Sequence, residues 1–188
     1  MSTVFTPTRM RISIDRYQKM VAAGVLTSSD RVELIEGEIL GMAPIGTRHA
    51  ALTGRLVKRL LLSLGDRATV RAANPVDLGH FSEPEPDLLV LKARVDDYLH
   101  AHPQAQDVLL LIEVAESSLA FDQGIKRALY ARFGVSEYWV VDVNRQRIFA
   151  YLSPAKGTFQ VSREYLINDT ISPQAFPDFN LAVRELFA

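Results

Sequence analysis

Residues 107–115, DVLLLIEVA, form an unbroken apolar stretch around one inner acid, and no other segment limits the fold as tightly. A run of that length fits a strand buried on both faces, as in the middle of a sheet covered by helices. EYWVVDV, residues 137–143, is a second such run. Between them Ile125, Ala128, Leu129 and Phe133 fall on one helical stripe, which Asp122 is expected to cap and Gly134 to stop. Strand, helix and strand in that order predict a sheet with a helix packed on it.

The remaining segments fit the same architecture. Residues 49–64, HAALTGRLVKRLLLSL, predict an amphipathic helix. Leu52, Leu56, Leu60 and Leu64 drift by only about 40° per step around its axis, His49 joins their stripe, and Arg55, Lys58 and Arg59 lie on the other side. RVELIEGEILGM reads as a hairpin turning at Glu36 and Gly37, with Gly37 supplying a positive φ. ISIDRYQKMVAAGVL predicts a short helix capped by Ser13 or Asp15 and ending at Gly24. Strand-like segments follow Gly65 through Val70 and Val76 to Leu78, and again at DLLVL and RQRIFAYL. A helix or loop is expected over 93–104. The tail, with Pro154, Gly157, Pro173 and Pro177, is expected to hold short strands and turns only. Residues 1–10 are polar and turn-rich, and are expected to be extended or poorly ordered. The expected class is α/β (α+β): one domain over 1–188 with a mixed central β-sheet flanked by helices.

Composition narrows the function. With 188 residues, 48% of them hydrophobic, the chain can bury a core without disulfides or a structural metal. There is no Cys, which removes thiol catalysis and Cys–zinc sites. Lys and Arg total 21 against 22 Asp and Glu, so any nucleic-acid contact must come from a local patch. No segment has the length of a membrane span or the pattern of a signal peptide, and the expected location is cytoplasmic.

Two carboxylates stand where ionised groups are costly. Glu113 lies inside LLLIEVA, and Asp87 opens the DLLVL strand directly after a proline. If the two strands run antiparallel, Asp87 and Glu113 meet at one edge of the sheet, where they repel unless a cation sits between them. Oxygen ligands alone suit Mg²⁺ or Mn²⁺ rather than zinc. The plainer alternative is a strand-capping Asp87 and a Glu113 paired with a structural Arg. Lys126 falls at the edge of its helix's apolar stripe, within reach of Glu113; its alternative is a solvated lysine beside Arg127. Tyr138 and Trp139 read as core, and Asp142 as a turn cap.

PDLLVL followed by IEVAESSLAFDQGIKRALYARFGVSEYWVVD, and preceded by RVELIEGEI and a His-led helix, resembles the Uma-type restriction endonuclease family of the PD-(D/E)XK nuclease superfamily. The resemblance covers roughly residues 12–152. It implies a restriction-endonuclease-like core and Mg²⁺-dependent phosphodiester cleavage. Asp87 matches the motif's Asp and Glu113 its second acid. The superfamily's lysine position is Ala115 here, and Lys126 on the next helix matches the lysine's place in this family. The resemblance also implies roles for Glu33 in the hairpin and His49 at the helix start; a strand-surface Glu and a core His are the plainer readings.

The expected function is therefore metal-dependent endonuclease activity, with DNA as the substrate. Asp87, Glu113 and the Val114 carbonyl would hold Mg²⁺ or Mn²⁺, Lys126 would serve the attacking water or the phosphate, and Arg55, Lys58 and Arg59 could track phosphates. A homodimer suits a small nuclease cutting duplex. The alternative is a non-catalytic module of the same fold that binds nucleic acid or a protein partner.

Overall fold

The computed structural model describes residues 8–188, so the expectation for residues 1–7 lies outside the described residues. The chain forms two compact units, residues 8–42 with 78–84, and Ala43–Asp77 with Glu85–Ala188.

In the first unit, α1 (Ile14–Ala22) starts where the Ser13 hydroxyl accepts the Arg16 amide at 3.3 Å. Strands β1 (Val32–Ile35) and β2 (Glu38–Gly41) pair with Ile35 opposite Glu38, leaving a two-residue turn. Glu36 and Gly37 both have positive φ, 52° and 85°, the signature of the type I′ turn that matches strand twist. Gly37 is fixed twice over, because a Cβ there would stand 2.7 Å from Arg11 Cβ. Backbone bonds between Leu34 and Glu83 join residues 78–84 to β1.

In the second unit, α2 (Thr47–Leu64) covers one face of a six-stranded sheet. The sheet's strands, in spatial order, are β3 (Ala68–Ala72), β4 (Leu88–Lys92), β5 (Val108–Ala115), β6 (Glu137–Asp142), β7 (Arg147–Ala155) and β8 (Thr158–Tyr165). All neighbours are antiparallel except β5 and β6, which run parallel. A parallel pair needs a crossover, and the helix between them supplies it. Leu52, Leu56, Leu60 and Leu64 pack with Leu88, Val90, Leu110, Ile112 and Val114 in one core. Each such side chain contributes roughly 1.5–3 kcal/mol through burial. The fold is the expected mixed α and β architecture.

Several local expectations need correction. The strand after Gly65 ends at Ala72, where Ala73 turns with φ 49°. Of the two forms expected over 93–104, helix or loop, the chain takes the loop. The crossover helix starts before Asp122, as α3 (Leu119–Phe121), widens into a π-helical turn over Asp122–Lys126, and continues as α4 (Arg127–Arg132). Asp122 therefore sits inside the helix, buried, and does not cap it. The tail holds the eight-residue β8, then β9 (Thr170–Ile171), β10 (Leu181–Ala182) and α5 (Arg184–Phe187). Its Phe176, Phe179, Leu181 and Leu186 join the α2 core, so apolar anchors between the turn residues decide its packing.

Candidate active site

The pairing of β4 with β5 brings the two acids together. Leu88 lies opposite Ile112, so Asp87, one residue before β4, faces Glu113. The Asp87 amide points at Glu113 Oε2 over 3.4 Å, and the Val114 amide donates to Asp87 Oδ2 over 2.7 Å. Because Ile112 and Val114 pack under α2, strand alternation turns Glu113 to the opposite face.

The crossover helix covers Glu113 on that face. Lys126 Nζ lies 3.0 Å from Glu113 Oε1, with the two side chains only 7% and 5% exposed. The Tyr130 hydroxyl donates to the same oxygen over 2.9 Å. Tyr130 was not singled out by sequence reasoning, although its spacing of four from Lys126 puts both on one helix face. Nearby, the Ser118 hydroxyl donates to Asp122 Oδ2 over 2.5 Å and the Tyr138 hydroxyl to the Asp122 carbonyl over 3.2 Å. Burial, and then the charges of Glu113 and Asp122, push the Tyr138 hydroxyl well above its usual range, so it stays protonated beside these acids.

His49, on the first turn of α2, brings Nε2 to 3.0 Å from Asp87 Oδ1. That turn is pinned by its neighbour. Arg48 donates to the Val143 carbonyl over 2.8 Å and to Asn144 Oδ1 over 3.2 Å, and sits 3.7 Å from Glu116 Oε1. The close approach of Glu116 to Gly46, where a Cβ would meet its Oε2 at 2.6 Å, fits a residue without a side chain at the helix start. Asp87, at 22% side-chain exposure, is the most open member of the group, while Glu113 and Lys126 lie beneath it.

Glu33 is buried on β1 of the first unit, opposite Leu40. Arg55, Lys58 and Arg59 occupy the exposed side of α2. Arg55 donates to the Leu186 carbonyl and Arg59 pairs with Glu185, so two of the three hold the C-terminal segment. Tyr138 and Trp139 are core, and Asp142 does cap its turn, accepting the Arg145 amide at 3.1 Å and Arg147 Nε at 2.9 Å.

Among the described residues, no helix is long and apolar enough to cross a membrane. Nor do three or more His, Cys, Asp or Glu residues gather into a metal-holding group. Asp87 and Glu113 offer hard carboxylate oxygens only. That donor set fits an ion that takes one or two carboxylates and keeps waters, as Mg²⁺ does, and does not fit a closed protein cage.

No curated protein matches the chain. Among solved structures, a "putative nuclease belonging to DUF820" from Anabaena variabilis ATCC 29413 superposes with a TM-score of 0.74. It shares 16% identity and covers 94% of this chain and 97% of that one, a likeness of fold. A family model described as "Putative restriction endonuclease" matches residues 14–184, nearly the whole chain, and the protein therefore belongs to that nuclease family, Uma2.

Proposed function

We propose that the protein is a divalent-metal-dependent endonuclease that hydrolyses phosphodiester bonds in DNA. The observation that carries the reading is the convergence of Asp87, Glu113 and Lys126 at one sheet end, with Asp87 and Glu113 in register and Lys126 3.0 Å from Glu113. Two buried or half-buried acids beside one ammonium form a poor structural device, since a hydrophobic replacement would serve packing as well or better.

Asp87, Glu113 and the Val114 carbonyl would hold Mg²⁺ or Mn²⁺. When bound, the ion would polarise the scissile phosphate and lower the pKa of the attacking water. The chain's own groups do the rest. The Val114 amide fixes one oxygen of Asp87 and His49 the other, so the carboxylate is oriented before substrate arrives. Lys126, 3.0 Å from Glu113 Oε1, would orient the attacking water or neutralise charge developing on the phosphoryl oxygens. Lys58, exposed on α2, is available to a flanking phosphate.

The test is cleavage by purified protein on single- and double-stranded DNA and RNA, with Mg²⁺, with Mn²⁺, and after chelation. DNA should be cut only with metal, and Asp87→Asn should lose that activity. Inert parent protein that still binds nucleic acid would favour the non-catalytic module. Cutting that survives chelation, or that persists in Asp87→Asn, would overturn the assignment.

A further inference from the structure

The crossover helix directs two donors at a single carboxylate oxygen. Tyr130 is fully buried, and its hydroxyl reaches Glu113 Oε1 at 2.9 Å, the oxygen that Lys126 also approaches at 3.0 Å. Glu113 Oε2 is thereby turned toward the Asp87 amide. The terminal torsion of a Glu side chain is soft and broad, and a lysine on a flexible stem is a weak brake on it. Tyr130 is stiff by comparison. Its ring packs edge-on against Tyr138 with centroids 4.9 Å apart, so the hydroxyl position is set by the core.

We propose that Tyr130 is a positioning residue for the nuclease reaction: it fixes the Glu113 carboxylate with Oε2 on the Asp87 side. It also keeps a donor on Oε1 while Lys126 turns toward water or phosphate. The inference rests on the metal-dependent reading above. It adds that the ligand geometry of Glu113 is set from the crossover helix rather than by β5 alone. Outer partners that hold a ligating carboxylate commonly govern metal affinity as strongly as they govern rate.

The experiment compares the full-length parent with Tyr130→Phe, which keeps the ring and removes the hydroxyl. Calorimetric titration with Mn²⁺ should give a Kd weaker by about tenfold or more in the variant. In DNA cleavage at saturating metal, kcat should fall while KM for DNA changes little, the split expected when an interaction acts in the transition state. A purely structural tyrosine would lower the melting temperature and leave the Mn²⁺ affinity of the folded variant at the parent's value, and that outcome overturns the inference. A measurement on the parent guards against loss of fold. Saturating Mg²⁺ should shift the Tyr130 ring resonance, and the shift should vanish in Asp87→Asn; an unmoved resonance also overturns it. Parent protein that binds neither ion removes the metal-dependent reading and this inference together. Parent that binds metal while Tyr130→Phe matches it removes only the role of Tyr130.

Discussion

The Val114 amide donates to Asp87 Oδ2 over 2.7 Å, so the residue opening β4 is tied to the main chain at the end of β5. A side chain thus continues the cross-strand bonding where the regular pairing stops. With His49 Nε2 at 3.0 Å from Oδ1, both oxygens of Asp87 are directed, and the carboxylate is held in place at the open side of the site.

Asp87→Asn and Asp87→Ala should therefore separate stability from chemistry. Asn retains a carbonyl oxygen for the Val114 amide, and its folding free energy should drop by about 1 kcal/mol or less. Ala strands that amide and should cost about 1–3 kcal/mol. Both should lose metal-dependent cleavage, by on the order of 10²–10³ or more. Urea unfolding and single-turnover assays on the two variants provide the comparison. Equal destabilisation by both would mean the Val114 bond contributes nothing.

Lys126→Met removes the ammonium and leaves Glu113 as a buried carboxylate with one fewer counterpart. Breaking a buried pair from one side costs about 3–5 kcal/mol, whereas replacing both partners by apolar groups is much milder. The single variant should be strongly destabilised, and Lys126→Met with Glu113→Leu should recover a good part of the loss while remaining inactive. Thermal unfolding of the parent, the singles and the double reads this. Additive losses in the double would contradict a coupled pair.

A pH effect should come from Glu137, far from the acids in role. It is buried on β6, where Trp139 Nε1 donates to Oε1 over 2.6 Å and the Gln174 amide to Oε2 over 2.7 Å. Burial raises its pKa above the ordinary value, and these two hydrogen bonds only partly oppose that. A carboxyl with a raised folded-state pKa binds its proton more tightly when folded. Its stabilising contribution is therefore complete below the unfolded value and is lost as pH rises through the folded one. Between about pH 4 and pH 7 the parent should lose more stability than Glu137→Gln, which has no such proton to release. Denaturation midpoints across that range test it, and parallel curves for the two proteins would contradict it.

Much of this site could be read from sequence because its members sit where burial makes their chemistry conspicuous. An acid inside LLLIEVA and an acid after EPEP are costly in any covered sheet, and antiparallel pairing then joins them. Lys126 followed from helical projection. Tyr130 did not, because a tyrosine on an apolar stripe looks the same whether its hydroxyl faces core or carboxylate. The π-helical turn over Asp122–Lys126 also left no periodic signal, since one widened turn shifts phase without disturbing the stripe that follows it. The tail was misjudged for a different reason. Its prolines and glycine marked the turns, while Phe176, Phe179, Leu181 and Leu186 are spaced for neither helix nor strand and take their meaning from the α2 core.

The central claim is that Asp87 and Glu113 share a divalent ion, and crystals grown or soaked in Mn²⁺ test it most directly through anomalous scattering. The expected result is a Mn²⁺ peak at coordination distance from a carboxylate oxygen of each residue, about 2.0–2.2 Å as for small hard cations, and its loss in Asp87→Asn. A site that stays without a peak at Mn²⁺ concentrations that support cleavage, or a peak bound by other residues, would contradict it.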